Sequence, residues 1–204
     1  MNYFPMFMDI EDREILICGG GKHAADKIEK LRPFHPKFRV ISENISEEIK
    51  NERDIAVEER RFSAEDLYAY PVFVIAAENG EENERIARLC NERHIPVNAV
   101  DQSKDCDFIF SSMIVTERLC IGISTGGVSP TGAVCLRNAV SEIIPDDIDE
   151  ILLWIRSLKE NLKNRQTENS ALKRILRLAV NEAFLRGRIL SEEELEKILV
   201  EEKA

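Results

Sequence analysis

The chain lacks any long apolar stretch. A helix that crosses a bilayer needs roughly 20 predominantly apolar residues, and no run in these 204 residues approaches that length. The opening, MNYFPMFMDIEDRE, has no basic region and reaches acidic residues early, so no signal peptide is expected. The sequence therefore predicts a soluble protein with no membrane partner.

Cysteine and histidine are sparse and scattered. The five cysteines are odd in number and never form C-x-x-C, which favours reduced thiols in a cytoplasmic protein over disulfides or a zinc site. His23, His35 and His94 do not cluster at the spacing of metal ligands. A cytoplasmic location and no resident metal are therefore expected.

Positive charge is also in short supply. The chain has 28 Lys and Arg against 38 Asp and Glu, which gives a net charge of −10. A general nucleic-acid-binding protein needs a basic surface. The balance therefore argues against nucleic acid as a partner.

Short apolar runs alternate with helical patterns through the first half of the chain. The runs fall at 14–18, 37–42, 54–59, 71–77 and 95–100. Apolar residues between several of these runs recur at helical spacing, as in EENERIARLCNERH, which places Ile86, Leu89 and Cys90 on one side. This rhythm predicts βαβ units and an α/β fold with a Rossmann-like parallel sheet.

The pattern changes after Asp101. Residues 113–124 predict two strands joined by a tight turn at Glu117–Arg118, followed by a glycine-rich loop and a helix that ends before Pro145. Almost everything from Asp147 onward is amphipathic helix. These changes divide the chain into a Rossmann-like domain over 1–112, a small mixed segment over 113–146, and a helical domain over 147–204.

The last predicted helix begins with a recognisable start signal. Ser191 and Glu194 in SEEELEKILV have the spacing of a capping box.

A glycine turn follows the first predicted strand. Gly19, Gly21 and Ala24 fit the pattern G-x-G-x-x-A at the start of a helix. The first glycine permits a tight turn, the second lets the backbone approach a pyrophosphate, and the small third residue lets the helix pack on the strand. The helix N-terminus would add N–H groups and partial positive charge. The turn predicts a dinucleotide site; the alternative is a glycine turn required only for close packing.

An acidic residue that binds ribose is expected after the second strand, about 20 residues beyond the turn. Glu43 stands there with Asn44 beside it. A carboxylate at this point accepts from a 2′-hydroxyl and repels a 2′-phosphate, which favours NAD over NADP. A solvated loop carboxylate is the alternative. The loops AAENG and NAVD, after the fourth and fifth strands, should line the same crevice.

Three segments together carry a family resemblance. YFPMFMDIEDREILICGGG, VNAVDQSKDCDFIF and IGISTGGVSP, in this order, resemble the precorrin-2 dehydrogenase family, the siroheme-synthase-type proteins. The resemblance covers about the first 150 residues. It implies a Rossmann domain, a dimerisation region that falls on 113–146, a helical region, and a homodimer.

The resemblance also implies an activity. Members of this family oxidise precorrin-2 to sirohydrochlorin with NAD⁺, and some also insert ferrous iron as a second substrate. The family's catalytic aspartate falls on Asp101, which closes NAVD. The cofactor-binding residues implied by the turn, the ribose position and the resemblance are Gly19, Gly21, Lys22, His23, Ala24, Glu43, Asn44 and Ala77.

Asp101 also has an interpretation from its own position. It lies just past a strand, where a carboxylate near a nicotinamide could act as a base for an oxidation that removes a hydride and a proton. The alternative is that Asp101 only caps the next turn, as aspartate commonly does. Asp105 and Asp107 are nearby competitors, and Asp107 is expected to be structural.

The segment STGGVSP is the candidate substrate contact. Precorrin-2 carries many carboxylates, and hydroxyls and N–H groups ahead of Pro130 could bind an anion at a helix start. The alternative is a purely structural role, in which the segment is an N-capped helix with a glycine hinge. The substrate-binding residues proposed here are Ser124, Thr125, Gly126, Gly127, Ser129 and Arg137.

Two departures from the family pattern stand near this segment. Ser111–Ser112 follow FIF where the family commonly has proline, and Val134 stands where an arginine is common. Two further hypotheses remain open: a dehydrogenase that is also a ferrochelatase, and a non-catalytic Rossmann module that senses NAD.

Overall fold

The computed structural model describes residues 3–101, 104, 106–164 and 168–201. The chain forms two compact units that divide between Phe110 and Ser111. The predicted three-part division, with separate parts over 113–146 and 147–204, stays a prediction.

The first unit is a five-stranded parallel sheet with the order β3-β2-β1-β4-β5. Its elements are β1 (Glu14–Gly20), α1 (Lys22–Leu31), β2 (Lys37–Ile45), α2 (Glu47–Lys50), β3 (Ile55–Glu59), β4 (Val74–Ala76), α3 (Gly80–Asn91) and β5 (Val97–Ala99), with short 3₁₀ turns at Arg32–Phe34 and Ala64–Ala69. The predicted Rossmann-like α/β class is confirmed. The strand order reverses on either side of β1, and ligands of such sheets bind at that reversal.

Both faces of the central strands β1 and β4 are buried, which explains the uninterrupted apolar residues at 15–18 and 71–77. Successive side chains of β1 point to opposite faces. Ile15 and Ile17 belong to one core cluster, together with Ile28 of α1. Leu16 and Cys18 belong to the other, together with residues of α3. The strands therefore place their carboxyl ends on a rigid, well-packed support.

Helix α3 buries a wider face than the predicted one. Ile86 and Cys90 are buried as expected, but the fully buried face continues through Ala87 and Asn83. Leu89 is only partly buried against the core. Helical phase explains the difference, because 83, 86, 87 and 90 follow the spacing of three and four that defines one face.

The second unit contains an antiparallel pair of strands followed by helices. Its elements are β6 (Ser112–Val115), β7 (Cys120–Ile123), α4 (Pro130–Ser141), α5 (Ile148–Asn164), α6 (Asn169–Arg186) and α7 (Glu192–Glu201). Asp149 of α5 fastens the β6–β7 turn, since its carboxylate accepts from the Thr116 hydroxyl and from the Arg118 N–H, each at 2.7 Å.

The helices of this unit share one apolar core. Ile151 of α5 and Ala179 and Ala183 of α6 are fully buried in it. The predicted capping box of α7 is confirmed. The Ser191 N–H donates to the Glu194 carboxylate at 2.7 Å, and the Glu194 N–H donates to the Ser191 hydroxyl at 3.3 Å.

No helix within the described part of the chain is both long and apolar enough to span a membrane.

Candidate functional site

The first glycine of the turn lies against the backbone at the end of β4. Gly19 has φ +132°, and a Cβ there would stand 2.5 Å from the Ala77 carbonyl oxygen. The Ala77 N–H in turn donates to the Cys18 carbonyl at 2.7 Å. Only glycine fits both the dihedral angle and the space.

The middle glycine is equally crowded, which the motif does not indicate. A Cβ on Gly20 would collide with the carbonyl oxygen of Asn44, and the Gly20 carbonyl accepts from the Ser46 N–H at 2.8 Å. Gly20 is therefore required by packing against β2. No local sequence signal could reveal this, because its neighbours come from the next strand.

The third glycine faces open space instead. Gly21 precedes α1, and a Cβ there would meet nothing within 4 Å. Helix α1 has no acidic residue in its first turn, so its N–H groups and partial positive charge are available to an anion. Lys22 and His23 are exposed, while Ala24 is completely buried against the sheet. These features suit a bound pyrophosphate.

A cavity of about 270 Å³ opens at the carboxyl ends of β2, β3 and β4. It brings the predicted Glu43 and Asn44 together with the AAENG loop. The lining residues are Glu43, Asn44, Arg61, Phe62, Glu78, Asn79, Glu81 and Glu82. Glu78 and Asn79 belong to the AAENG loop that was expected to line the crevice, whereas Arg61, Phe62, Glu81 and Glu82 were not among the sequence-predicted site residues.

Glu43 and Asn44 were expected in a loop after the second strand, and this placement is wrong. Strand β2 continues to Ile45, because Gly20 pairs with Ile45 after an irregularity in register between Cys18 and Gly20. Glu43 and Asn44 are nonetheless exposed at the carboxyl end of β2, at the edge of the sheet where a ribose ligand is needed.

The cavity wall is strongly acidic and internally braced. A hydrogen bond from Arg85 outweighs the effect of burial and lowers the pKa of Glu82 to about 2, and a hydrogen bond from Arg61 lowers it further. The buried Ser42 hydroxyl donates to the Glu78 carboxylate at 2.5 Å. An anionic group such as a 2′-phosphate would meet unfavourable charge here.

Asp101 lies immediately beyond β5 in a left-handed turn. Its φ is +61° and it is exposed. The preceding Val100 is held to the sheet, since its N–H donates to the Ala76 carbonyl at 2.9 Å. Asp101 is thus at the same edge of the sheet as the glycine turn, although it does not line the cavity.

Of the two other aspartates considered as the base, Asp105 lies outside the described residues. Asp107 is structural, as its carboxylate accepts from the Val97 N–H at 2.9 Å.

A half-buried lysine lies near this turn. The Lys27 ammonium of α1 sits 4.1 Å above the ring of Phe110, a favourable cation–π arrangement. Burial lowers the pKa of Lys27, and the positive charge of Lys30 adds to this, whereas the negative charge of Asp101 opposes it. Lys27 therefore provides positive charge on the Asp101 side of the first unit.

The second unit holds most of the predicted substrate residues in a loop that is stabilised by hydrogen bonds among its own residues. The Ser129 hydroxyl accepts from the Gly132 N–H at 3.0 Å and caps α4. The Thr125 hydroxyl donates to the Ser129 carbonyl and accepts from the Ser129 N–H. The Ser124 hydroxyl accepts from the Gly126 N–H at 3.0 Å. Ser124 and Ser129 act here as acceptors, so their own O–H groups can still donate to an anion.

The remaining predicted substrate residues are also near the start of α4 or on it. Gly126 and Gly127 have positive φ, at 65° and 83°, which gives the loop its bend. The exposed guanidinium of Arg137 donates to the Asn138 side chain at 2.7 Å. The structure thus places the nucleotide candidates and Asp101 in the first unit, and the substrate candidates in the second.

Within the described ranges, no group of three or more His, Cys, Asp or Glu residues has the geometry of a metal site.

Residues 6–112 match a family model described as "Putative NAD(P)-binding". Over 208 residues the chain is 34% identical to the siroheme synthase of Thioalkalivibrio sulfidiphilus, covering 98% of this chain and 42% of that protein.

The chain belongs to the precorrin-2 dehydrogenase family.

A second relative of this family, the siroheme synthase of Buchnera aphidicola, is 31% identical over 173 residues, covering 80% of this chain and 36% of that protein. The chain therefore spans less than half the length of these relatives. The solved structure of SirC, precorrin-2 dehydrogenase, matches the fold with a TM-score of 0.74 at 18% identity, covering 98% of this chain and 99% of that one. The predicted resemblance and the nicotinamide dinucleotide cofactor are confirmed.

Proposed function

We propose that this chain oxidises precorrin-2 to sirohydrochlorin with NAD⁺, a step of siroheme biosynthesis. The observation that carries the proposal is the position of Asp101. It projects from a left-handed turn just beyond β5, at the sheet edge that also carries the glycine turn. Similarity to siroheme synthases over 98% of the chain supports the choice of substrate.

The cofactor would be held by the first unit. Gly19 and Gly21 shape the turn, Ala24 lets α1 approach the sheet, and Lys22 and His23 offer backbone N–H groups to the pyrophosphate. The ribose and adenine would occupy the cavity beside Glu43, Asn44 and the loop after Ala77. The acidic wall, with Glu43 and Glu78 on it, favours NAD over NADP, because a 2′-phosphate would lie among carboxylates.

The chemistry needs one acceptor and one base. When bound, NAD⁺ supplies the hydride acceptor. Asp101 takes the proton released in the same oxidation, and its exposed position lets it reach a substrate and return the proton to water. Lys27 provides positive charge on the same side of the first unit.

The substrate's carboxylates would be bound by the second unit. Ser124, Thr125, Gly126, Gly127 and Ser129 present hydroxyl and N–H groups where α4 begins, and the dipole of that helix favours anions. Arg137 adds a formal positive charge. This local attraction is needed because the whole chain carries a net charge of −10.

A cytoplasmic homodimer is the form we propose. None of the five cysteines forms a disulfide, in keeping with a reducing compartment. Strands β6 and β7 form a sheet of only two strands whose apolar residues are at most half-buried, and so small a sheet gains stability by adding neighbours.

The test is NADH formation from anaerobic precorrin-2 without iron, followed by absorbance, with NAD⁺ and NADP⁺ compared. The proposal expects turnover with NAD⁺ and much weaker turnover with NADP⁺. A protein that binds NAD⁺ but forms no NADH would contradict the proposal and favour the sensor hypothesis. Adding ferrous iron to the sirohydrochlorin formed then shows whether the chain is also a chelatase, with iron as a substrate.

A further inference from the structure

A buried amide joins the loop after β4 to the turn after β5. Asn83 of α3 is 2% exposed. Its Oδ1 accepts from the Glu78 N–H at 2.9 Å, and its Nδ2 donates to the carbonyl oxygens of Glu78 and Val100, each at 3.3 Å. The oxygen and both amide hydrogens are therefore all used.

The two loops joined by this amide carry different parts of the proposed site. Glu78 lines the nucleotide cavity, and Val100 is the residue immediately before Asp101. The Val100 N–H is already held by the Ala76 carbonyl at 2.9 Å. Asn83 donates a hydrogen bond to the Val100 carbonyl as well. Both backbone groups of Val100, its N–H and its carbonyl oxygen, are therefore hydrogen-bonded immediately before Asp101.

The conformation of Asp101 makes this support necessary. A left-handed φ is unfavourable for a residue with a Cβ, and such a conformation persists only where the surrounding structure holds it. Asp101 has φ +61°. Releasing the Val100 carbonyl would let this turn relax and move the carboxylate.

Helix α3 itself does not need Asn83. The Asn79 side chain already caps the helix by accepting from the Glu82 N–H at 3.1 Å. The other buried positions of the same face are occupied by Ile86, Ala87 and Cys90. Burying a polar side chain on this face destabilises the fold unless the side chain is hydrogen-bonded. The hydrogen bonds of the Asn83 side chain go to Glu78 and Val100, in the two loops.

We propose that Asn83 is a positioning residue that fixes the Asp101 turn relative to the nucleotide cavity. The inference rests on the proposed role of Asp101 as base. Asn83 acts through Val100 and Glu78. Its removal uncouples the turn from the cavity while leaving the sheet in place.

The test compares Asn83→Ala with Ile49→Val, which removes one methylene from a residue of α2 that is also 2% exposed. Melting temperatures of both variants are measured first, so that losses of activity can be compared at known losses of stability. Turnover at saturating NAD⁺ and precorrin-2 and the dissociation constant of NAD⁺ are then measured.

Asn83→Ala is expected to lower kcat by about tenfold or more, since small misplacements of catalytic groups have effects of this size. Ile49→Val is expected to keep kcat within about twofold. An equal effect of the two variants on kcat would overturn the inference.

Hydrogen exchange provides a readout that does not depend on turnover. Asn83→Ala is expected to speed amide exchange over 77–79 and 99–101 while leaving 38–41 in β2 unchanged. A uniform acceleration across the first unit would mean a merely structural role and would also overturn the inference. If the wild type forms no NADH from precorrin-2, the proposed function fails, and the exchange comparison still decides whether Asn83 fixes the two segments.

Discussion

Gly19 lies against Ala77 so closely that a Cβ on Gly19 would stand 2.5 Å from the Ala77 carbonyl oxygen, whereas a Cβ on Gly21 would meet nothing. Two glycines of one turn therefore serve different purposes. The missing side chain of Gly19 lets the backbone of β1 lie close to the backbone that follows β4. Gly21 leaves room in front of helix α1.

The first prediction separates these purposes. Gly19→Ala should lower the free energy of unfolding by about 1–3 kcal/mol or more, because the residue has φ +132° and no space for a Cβ. Gly21→Ala should leave the free energy of unfolding within about 0.5 kcal/mol of wild type and weaken NAD⁺ binding about tenfold or more. Urea unfolding and calorimetric titration measure the two effects. Equal effects of the two substitutions on stability would contradict this assignment.

The second prediction concerns acid stability and the Asp66 carboxyl. Burial would raise its pKa, but hydrogen bonds from Arg60 and the Ser63 N–H lower it to about 2. Because the folded pKa lies below the unfolded value near 3.9, the resulting stability is present above about pH 4 and is lost as the pH falls toward 2. Asp66→Asn should therefore lower the free energy of unfolding by about 2 kcal/mol at neutral pH.

The check on Asp66 is a set of urea unfolding curves at several pH values. The difference between wild type and Asp66→Asn should shrink as the pH falls from 4 to 2. A difference that stays constant over this range would show that the carboxylate charge does not stabilise the fold.

The third prediction concerns thiol reactivity. Burial raises the pKa of Cys18 well above its ordinary value, and burial with the charge of Asp107 raises the pKa of Cys90 to about 12. Cys135 is exposed. A disulfide reagent at neutral pH should modify Cys135 quickly and leave Cys18 and Cys90 unmodified until the protein unfolds, because the thiolate is the reactive form. Mass spectrometry locates the modified thiols, and Cys135→Ser should remove the fast phase.

The fourth prediction addresses the substrate contact. Arg137→Ala should raise KM for precorrin-2 about tenfold or more with little change in kcat, as expected for the loss of one charge-assisted contact. Arg156→Ala is the matched control, since Arg156 is an exposed arginine on α5 paired only with its neighbour Glu160 among the described residues. The same effect on KM from both substitutions would indicate general surface charge in place of a specific contact.

The central strands could be predicted because strands buried on both faces have continuous apolar sequences, as residues 15–18 do. The approach of Gly20 to Asn44 could not be, since it depends on how β1 and β2 pair after their change in register. The role of Asn83 could not be predicted for a related reason. Helical spacing places it on the face of Ile86 and Cys90, which is a usable signal, but its partners Glu78 and Val100 follow other strands and are known only once the strands are assembled.

The cavity shows the same limit. Glu43 could be predicted from its distance to the glycine turn, because that distance reflects one βαβ unit. Arg61 and Glu82 reach the cavity from elements that neighbour it only in the folded sheet. Their ion pair at 3.2 Å is a tertiary contact with no counterpart in local spacing.

The most direct measurement is the rate of NADH formation from precorrin-2 by Asp101→Asn beside Asp12→Asn. Both residues are exposed aspartates with left-handed φ, at 61° and 56°, and asparagine tolerates that conformation. If Asp101 is the base, Asp101→Asn bound to NAD⁺ normally should lose about 100-fold or more in kcat, while Asp12→Asn keeps wild-type activity. Turnover by Asp101→Asn equal to that of the control would contradict the account.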